Sequence, residues 1–275
     1  MKAPVPPRIY CLPAIEAPIV AVFRRGPSDW CHVGRWDLAK GYQAGAWLKG
    51  RIFPRRSDLS PDGRWLSYFA YQPSARWVHG ESYVAVSKLP WLSALHAFGT
   101  CGTWTRGYYF SSDHTDDTAE MIKLPIPYTL LPIPVVQFAN ERRRGWEETP
   151  DCPSRHHKDF WDERRNARLR KPNPKDDGWL CVESRGFAGG EFGLEQAVDG
   201  LRVAYWLEIN DDLLPLDDVQ WADWSSDGRL LTATRSGRLE IGTLKASGLR
   251  TQCVADLSEM QPTPTLAPET ATRWF

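Results

Sequence analysis

Along most of this chain, apolar and polar positions alternate in short runs that end at Gly-, Pro- or Asp-containing turns, the period-two signal of half-buried strands. Residues 17–24 and 30–38 flank Arg25-Gly26-Pro27-Ser28-Asp29 and predict a hairpin. Residues 46–53, 64–71 and 82–87 predict three more strands, and 92–98 another. A run over 104–110, the polar turn of residues 111–117 and a run over 120–124 follow. The pattern breaks in residues 140–175. There the stretch 156–171 lacks Pro and Gly and is fenced by Pro150, Pro153, Pro172 and Pro174, which predicts one amphipathic helix on an insertion that leaves the sheets. Residues 258–272, with Pro262, Pro264 and Pro268 among Thr and Ala, predict a flexible tail that ends in Arg273-Trp274-Phe275.

Two segments repeat a motif. Asp58-Leu59-Ser60-Pro61-Asp62-Gly63-Arg64-Trp65-Leu66 and Asp223-Trp224-Ser225-Ser226-Asp227-Gly228-Arg229-Leu230-Leu231 are identical at six of nine positions, and each leads into an apolar run. Asp-Gly supplies the positive φ that reverses a hairpin, which Gly adopts without steric cost. A weaker copy stands at Asp177-Gly178-Trp179-Leu180 and leads into Cys181-Val182-Glu183-Ser184. A unit of about 50 residues with one insertion fits the intervals, a size that matches four-stranded propeller blades.

Ser-Pro-Asp-Gly-Arg-Trp-Leu resembles the blade motif of TolB-type propellers and of the propeller domains in prolyl-oligopeptidase-like proteins. The resemblance implies that the motif lies at the turn between the first two strands of a blade. The longer string from Gly50 to Gly63 is similar to a set of uncharacterised bacterial proteins. Neither resemblance carries a catalytic residue to this chain.

Composition agrees with strands: 14 Trp, 9 Tyr and 10 Phe suit pleated faces, and 22 Pro with 21 Gly oppose long helices. Lys+Arg and Asp+Glu both number 34, so no global field gathers nucleic acid or an anionic membrane. Six scattered cysteines without Cys-x-x-Cys argue for free thiols rather than a disulfide scaffold. No apolar run has the length of a signal peptide or a membrane helix, so a soluble cytoplasmic protein is expected.

Several clusters could carry chemistry. Cys152, His156, His157, Asp159 and Glu163 could ligate a metal, yet their spacing matches no common zinc pattern, and no metal or other cofactor is expected. Asp113, His114, Asp116 and Asp117 could serve acid–base work, but a hairpin turn explains the same residues. Asp211, Asp212, Asp217, Asp218 and Asp223 near Trp221 and Trp224 would suit glycoside hydrolysis. Asp58 and Asp223 share a repeat position, however, and bracing the turn accounts for both. Nucleophile-elbow, phosphate-loop and His-Glu-x-x-His signatures do not occur.

The basic cluster is the expected interaction surface. Arg142, Arg143, Arg144, Trp146, Trp161, Arg164 and Arg165 gather on the insertion, and Arg and Trp are enriched at protein–protein hot spots. Acidic residues interleaved among them favour a protein partner over nucleic acid. The resulting expectation is an all-β chain: a small β-propeller of about five blades, with room for an incomplete or irregular one. Residues 1–257 form its single domain, with the helical insertion at 140–175 and the flexible tail at 258–275. The expected role is a non-catalytic protein–protein interaction module, a scaffold or adaptor of a bacterial cytoplasm. The alternative is a hydrolase of glycosides or other polar substrates, with its site in the central depression.

Overall fold

A computed structural model describes residues 6–73, 80–113, 121–134, 136–149, 167–175, 178–187, 201–210, 212–245 and 248–275. The chain is all-β, and the described strands form five sheets that follow one another in sequence. The first sheet orders β1 (Arg8–Pro13), β2 (Ile19–Arg25), β3 (Trp30–Asp37) and β4 (Gly41–Lys49) consecutively. The second comprises β5 (Arg51–Ile52), β6 (Asp58–Leu59), β7 (Trp65–Tyr71), β8 (Ser82–Lys88) and β9 (His96–Gly99), with β5 and β6 both pairing β7. The third contains β10 (Tyr108–Ser111), β11 (Ile122–Lys123) and β12 (Thr129–Pro132), with β12 in the middle. After a short helix α1 (Ala139–Arg142), the fourth sheet orders β13 (Glu147–Glu148), β14 (Arg168–Pro172), β15 (Trp179–Phe187), β16 (Leu201–Ile209) and β17 (Asp212–Pro215). The fifth orders β18 (Val219–Trp224), β19 (Leu230–Thr234), β20 (Arg238–Lys245) and β21 (Gly248–Asp256). From β2 onward, neighbouring strands pair antiparallel.

The chain divides into two compact units. One unit combines Met1–Tyr10 with Val135–Met260; the other combines Cys11–Pro134 with Gln261–Phe275. In the first unit, Leu169, Leu180, Val182, Tyr205 and Leu207 of the fourth sheet pack with Ala222, Trp224 and Leu230 of the fifth, joined by Phe138 and Trp146. In the second unit, Trp65, Val86, Phe110, Ile126, Tyr128 and Leu130 form one apolar cluster, and Phe53, Phe69 and Val84 form another. Burying each large side chain of this kind contributes roughly 1.5–3 kcal/mol.

The two motif copies fold alike, and both join the first two strand positions of their sheets. Ser60 N–H donates to Trp65 O at 2.9 Å, and Gly63, at φ 72°, donates to Ser60 O at 2.9 Å. The Ser60 hydroxyl reaches Asp62 Oδ1 at 2.5 Å and accepts Trp65 N–H at 2.9 Å. Ser225, Asp227 and Gly228 (φ 80°) form the equivalent turn in the fifth sheet, with Ser225 bonded to Arg229, one repeat position earlier than the Trp65 partner of Ser60. The serine hydroxyl thus replaces missing ladder bonds inside the turn, which accounts for Ser at that repeat position.

Three boundaries differ from expectation. The strand predicted over 46–53 is instead β4 followed by β5, because Gly50 at φ 148° interrupts it. The run over 104–110 yields only β10, preceded by a 3-10 turn at Gly102–Trp104. Of the predicted helix 156–171, residues 156–166 lie outside the described residues, and 168–171 belong to strand β14. Leu169 is fully buried there between Arg168 and Arg170, a two-residue period. The flanking arginines lay their planar heads over Trp206 at 5.8 Å and Trp179 at 4.1 Å and reach Glu183 and Glu147.

The segment expected to be a flexible tail is anchored at its end. Ala271 is buried, Trp274 packs on Trp65 at 5.2 Å between ring centres, and Lys88 Nζ donates to Thr270 O at 2.8 Å.

Candidate binding surface and buried polar residues

Of the residues expected to form a basic surface, Arg142, Arg143, Arg144 and Trp146 lie in the first unit, at and just after helix α1. Helix α1 is one turn long, and Gly145 follows it at φ 82°. A left-handed residue past a helix end lets later N–H groups satisfy the last carbonyls. Here Arg144 N–H and Trp146 N–H both reach Glu141 O, at 2.9 and 3.2 Å. The reversal delivers Trp146 into the apolar cluster, where its ring meets Tyr205 edge-on at 6.4 Å.

The arginines around this turn are committed locally. Arg142 Nε donates to Gln137 O at 3.0 Å, and its Nη1 lies 2.5 Å from Glu148 Oε1. Arg144 is buried, with Nη1 donating to Asn140 O at 3.2 Å. Arg143 is half-buried. The interleaved Glu141 is itself buried and accepts the Tyr10 hydroxyl at 3.1 Å. Of the residues expected on the partner-binding surface, Arg144 and Trp146 are thus buried and Arg142 is half-buried. Trp161, Arg164 and Arg165 lie outside the described residues, as do Cys152, His156, His157, Asp159 and Glu163.

The two repeat aspartates are buried and reach past their own turns. Asp58 Oδ2 accepts Phe110 N–H at 2.9 Å, from the third sheet. Asp223 Oδ1 accepts Lys171 Nζ at 2.6 Å, from the fourth sheet, and Trp224 N–H at 2.7 Å. Bracing of the turn falls to Ser60 with Asp62 and to Ser225 with Asp227, while Asp58 and Asp223 tie neighbouring sheets together. Arg229 holds the Asp227 carboxyl down at about 2, assisted by the Ser225 hydroxyl.

Two further buried polar groups in the second unit have no counterpart in the sequence reading. Arg56 is fully buried, its guanidinium 4.5 Å from the Phe53 ring centre and 4.8 Å from that of Phe69. Its Nη1 donates to Thr103 O at 2.6 Å and Thr105 O at 2.9 Å, so the charge fixes a loop through backbone carbonyls. His32 is fully buried as well, and Gly45 N–H donates to its Nε2 at 3.2 Å. With Nε2 accepting, the neutral ring carries its proton on Nδ1, 3.3 Å from the Tyr42 hydroxyl oxygen. Burial, then the nearby Arg24 charge, lower the His32 pKa to about 4. Burial pushes the Tyr42 hydroxyl and the Cys11 thiol up. This ring satisfies backbone at the register shift between β3 and β4 and stays uncharged near neutral pH.

Of the carboxylates suited to hydrolysis, Asp223 is buried against Lys171, Trp221 and Trp224 are buried, and Asp212, Asp217 and Asp218 are exposed. Asp211 lies outside the described residues, as do His114, Asp116 and Asp117. Asp113 N–H donates to Ser111 Oγ at 3.1 Å, a local turn contact. Among the described residues no group of three or more His, Cys, Asp or Glu side chains could hold a metal ion. No helix among them is long and apolar enough to cross a membrane.

What faces solvent instead is β17. All four of its residues are exposed, Leu213 at 65% and Leu214 at 40%. Sequence reasoning weighed only the aspartates of this segment, as candidates for hydrolysis, and passed over the leucines between them. The available signal was two adjacent leucines between paired aspartates. No family model matches this chain, and a search of curated proteins returns no match.

Proposed function

We propose that this protein is a non-catalytic module that binds another protein, its sheets arranged as the blades of a small propeller. The observation that carries the reading is the use made of its chemically capable side chains. His32, Arg56, Asp58 and Asp223 are all buried and each holds backbone or a partner strand in place, while exposed apolar surface lies on a strand edge. Apolar side chains held in water on a rigid sheet are a feature of interaction sites.

Support for the blade arrangement comes from the serial order of the sheets along the chain.

The experiment is affinity capture with the intact chain as bait, beside turnover assays on a panel of glycosides. The reading expects one co-purifying protein in stoichiometric amount and no turnover. Glycoside turnover that Asp223→Asn removes while the fold stays intact would replace it with the hydrolase alternative.

A further inference from the structure

Strand β17 ends its sheet, and among the described residues no strand pairs its outer side. Successive side chains of a strand point to opposite faces, so the exposure of both Leu213 and Leu214 leaves both faces of this edge open. The register sets Asp212 opposite Ile209, Leu213 opposite Glu208, Leu214 opposite Leu207 and Pro215 opposite Trp206. One position further, Leu216 N–H donates to Tyr205 O at 3.0 Å. Hydrogen-bonded pairs alternate along an antiparallel ladder. Counted back from Leu216, then, Leu214 and Asp212 turn their backbone groups toward β16, and Leu213 and Pro215 turn theirs outward. Pro215 thus sits where its missing N–H costs no ladder bond. The outer side offers Leu213 N–H and C=O together with Pro215 C=O.

The charges around this edge choose its occupant. Asp212, Asp217 and Asp218 are exposed, none forms an ion pair among the described residues, and Glu208 lies opposite Leu213. Among the described cations nearby, Arg235 donates to Asp217 O at 3.2 Å and Val203 O at 3.3 Å, and Arg168, over the Trp206 ring, is paired with Glu183. Two copies of so acidic an edge repel one another, which guards it against self-pairing. A cationic strand is attracted to it.

We propose that the outer side of β17 receives an extended segment of a partner protein in which an apolar residue is flanked by Lys or Arg. The segment adds as a further antiparallel strand, its backbone bonded to Leu213 and its cations facing Asp212, Asp217 and Asp218. This rests on the binding-module reading and gives that module a place and a partner chemistry.

The test uses a fluorescein-labelled synthetic peptide of alternating Lys and Val, with an alternating Glu and Val peptide as control, read by anisotropy against the full chain. The Lys–Val peptide is expected to bind and the control not to, with affinity falling at least tenfold between low and physiological salt. Leu213→Pro removes the outward donor without touching the ladder to β16 and is expected to weaken binding at least tenfold. Leu213→Lys, which keeps the backbone donor, is expected to do the same through charge and lost apolar contact, and Leu213→Val to retain it. Absence of binding, or binding unchanged in both Leu213→Pro and Leu213→Lys, overturns the proposal. So does a concentration-dependent dimer of the chain itself that Leu213→Pro abolishes, since the occupant is then a second copy. A protein captured equally well by wild type and by both variants leaves the binding-module reading standing and removes this edge from it.

Discussion

Arg142-Arg143-Arg144-Gly145-Trp146 and Asp212-Leu213-Leu214-Pro215 belong to the same compact unit and meet water in opposite ways. The first concentrates charge, yet Arg144 and Trp146 are buried and Arg142 is spent on Gln137 and Glu148. The second carries two leucines, and both stand in solvent. Local backbone geometry makes the difference. A one-turn helix ended by Gly145 at positive φ turns the first stretch inward, whereas an outer strand with Pro215 near its end leaves the second outside. Charge density along a sequence is therefore a poor guide to exposure wherever a tight turn can fold the chain back over its own arginine stems.

The comparison can be broken most forcefully at Trp146. Trp146→Ala empties a site in the core and is expected to cost about 3–5 kcal/mol in equilibrium urea unfolding. Arg144→Glu places an acid beside the Asn140 carbonyl that Nη1 now contacts, with an expected loss of about 3 kcal/mol by the same measurement. A surface role for this stretch would leave both variants near wild-type stability.

Removing one partner of the joint between the fourth and fifth sheets comes next. Asp223→Ala leaves the Lys171 ammonium without its carboxylate, and because that side chain is 18% exposed the expected loss is about 2 kcal/mol, below the range for fully buried pairs. Acid provides a comparable probe in the other unit. His32 titrates near 4 when folded against 6.5 when unfolded, so the unfolded chain binds the proton more readily between those values. Stability is therefore lost as pH falls from 6.5 toward 4, by up to about 3 kcal/mol, and His32→Gln should flatten that part of the profile. The smallest effect is expected at the exposed edge, where Leu213→Lys should change unfolding free energy by no more than about 0.5 kcal/mol.

Much of the strand pattern was legible, because Asp-Gly turns and period-two runs are local signals that burial on one face enforces. The hairpin of β2 and β3, strands β7 and β8, and both motif turns lie where the alternation puts them. Strand β14 was not legible: with Leu169 alone among Arg168, Arg170 and Lys171, its two-residue period resembles a charged helix until Trp206 and Trp179 supply the faces on which the arginines lie. The roles of Asp58 and Asp223 were half legible. Their equivalence showed in the repeat, but their partners, Phe110 and Lys171, stand 52 residues away in each case and only folding brings them together. The exposed edge was illegible for the opposite reason, since adjacent leucines ordinarily signal core.

The most direct test of this division is urea unfolding of Trp146→Ala and Leu213→Lys measured side by side with wild type. The account predicts a loss of at least about 3 kcal/mol for the first and no resolvable change for the second. A stable Trp146→Ala with a destabilised Leu213→Lys would contradict it, because the basic stretch would then be the surface and β17 part of the core.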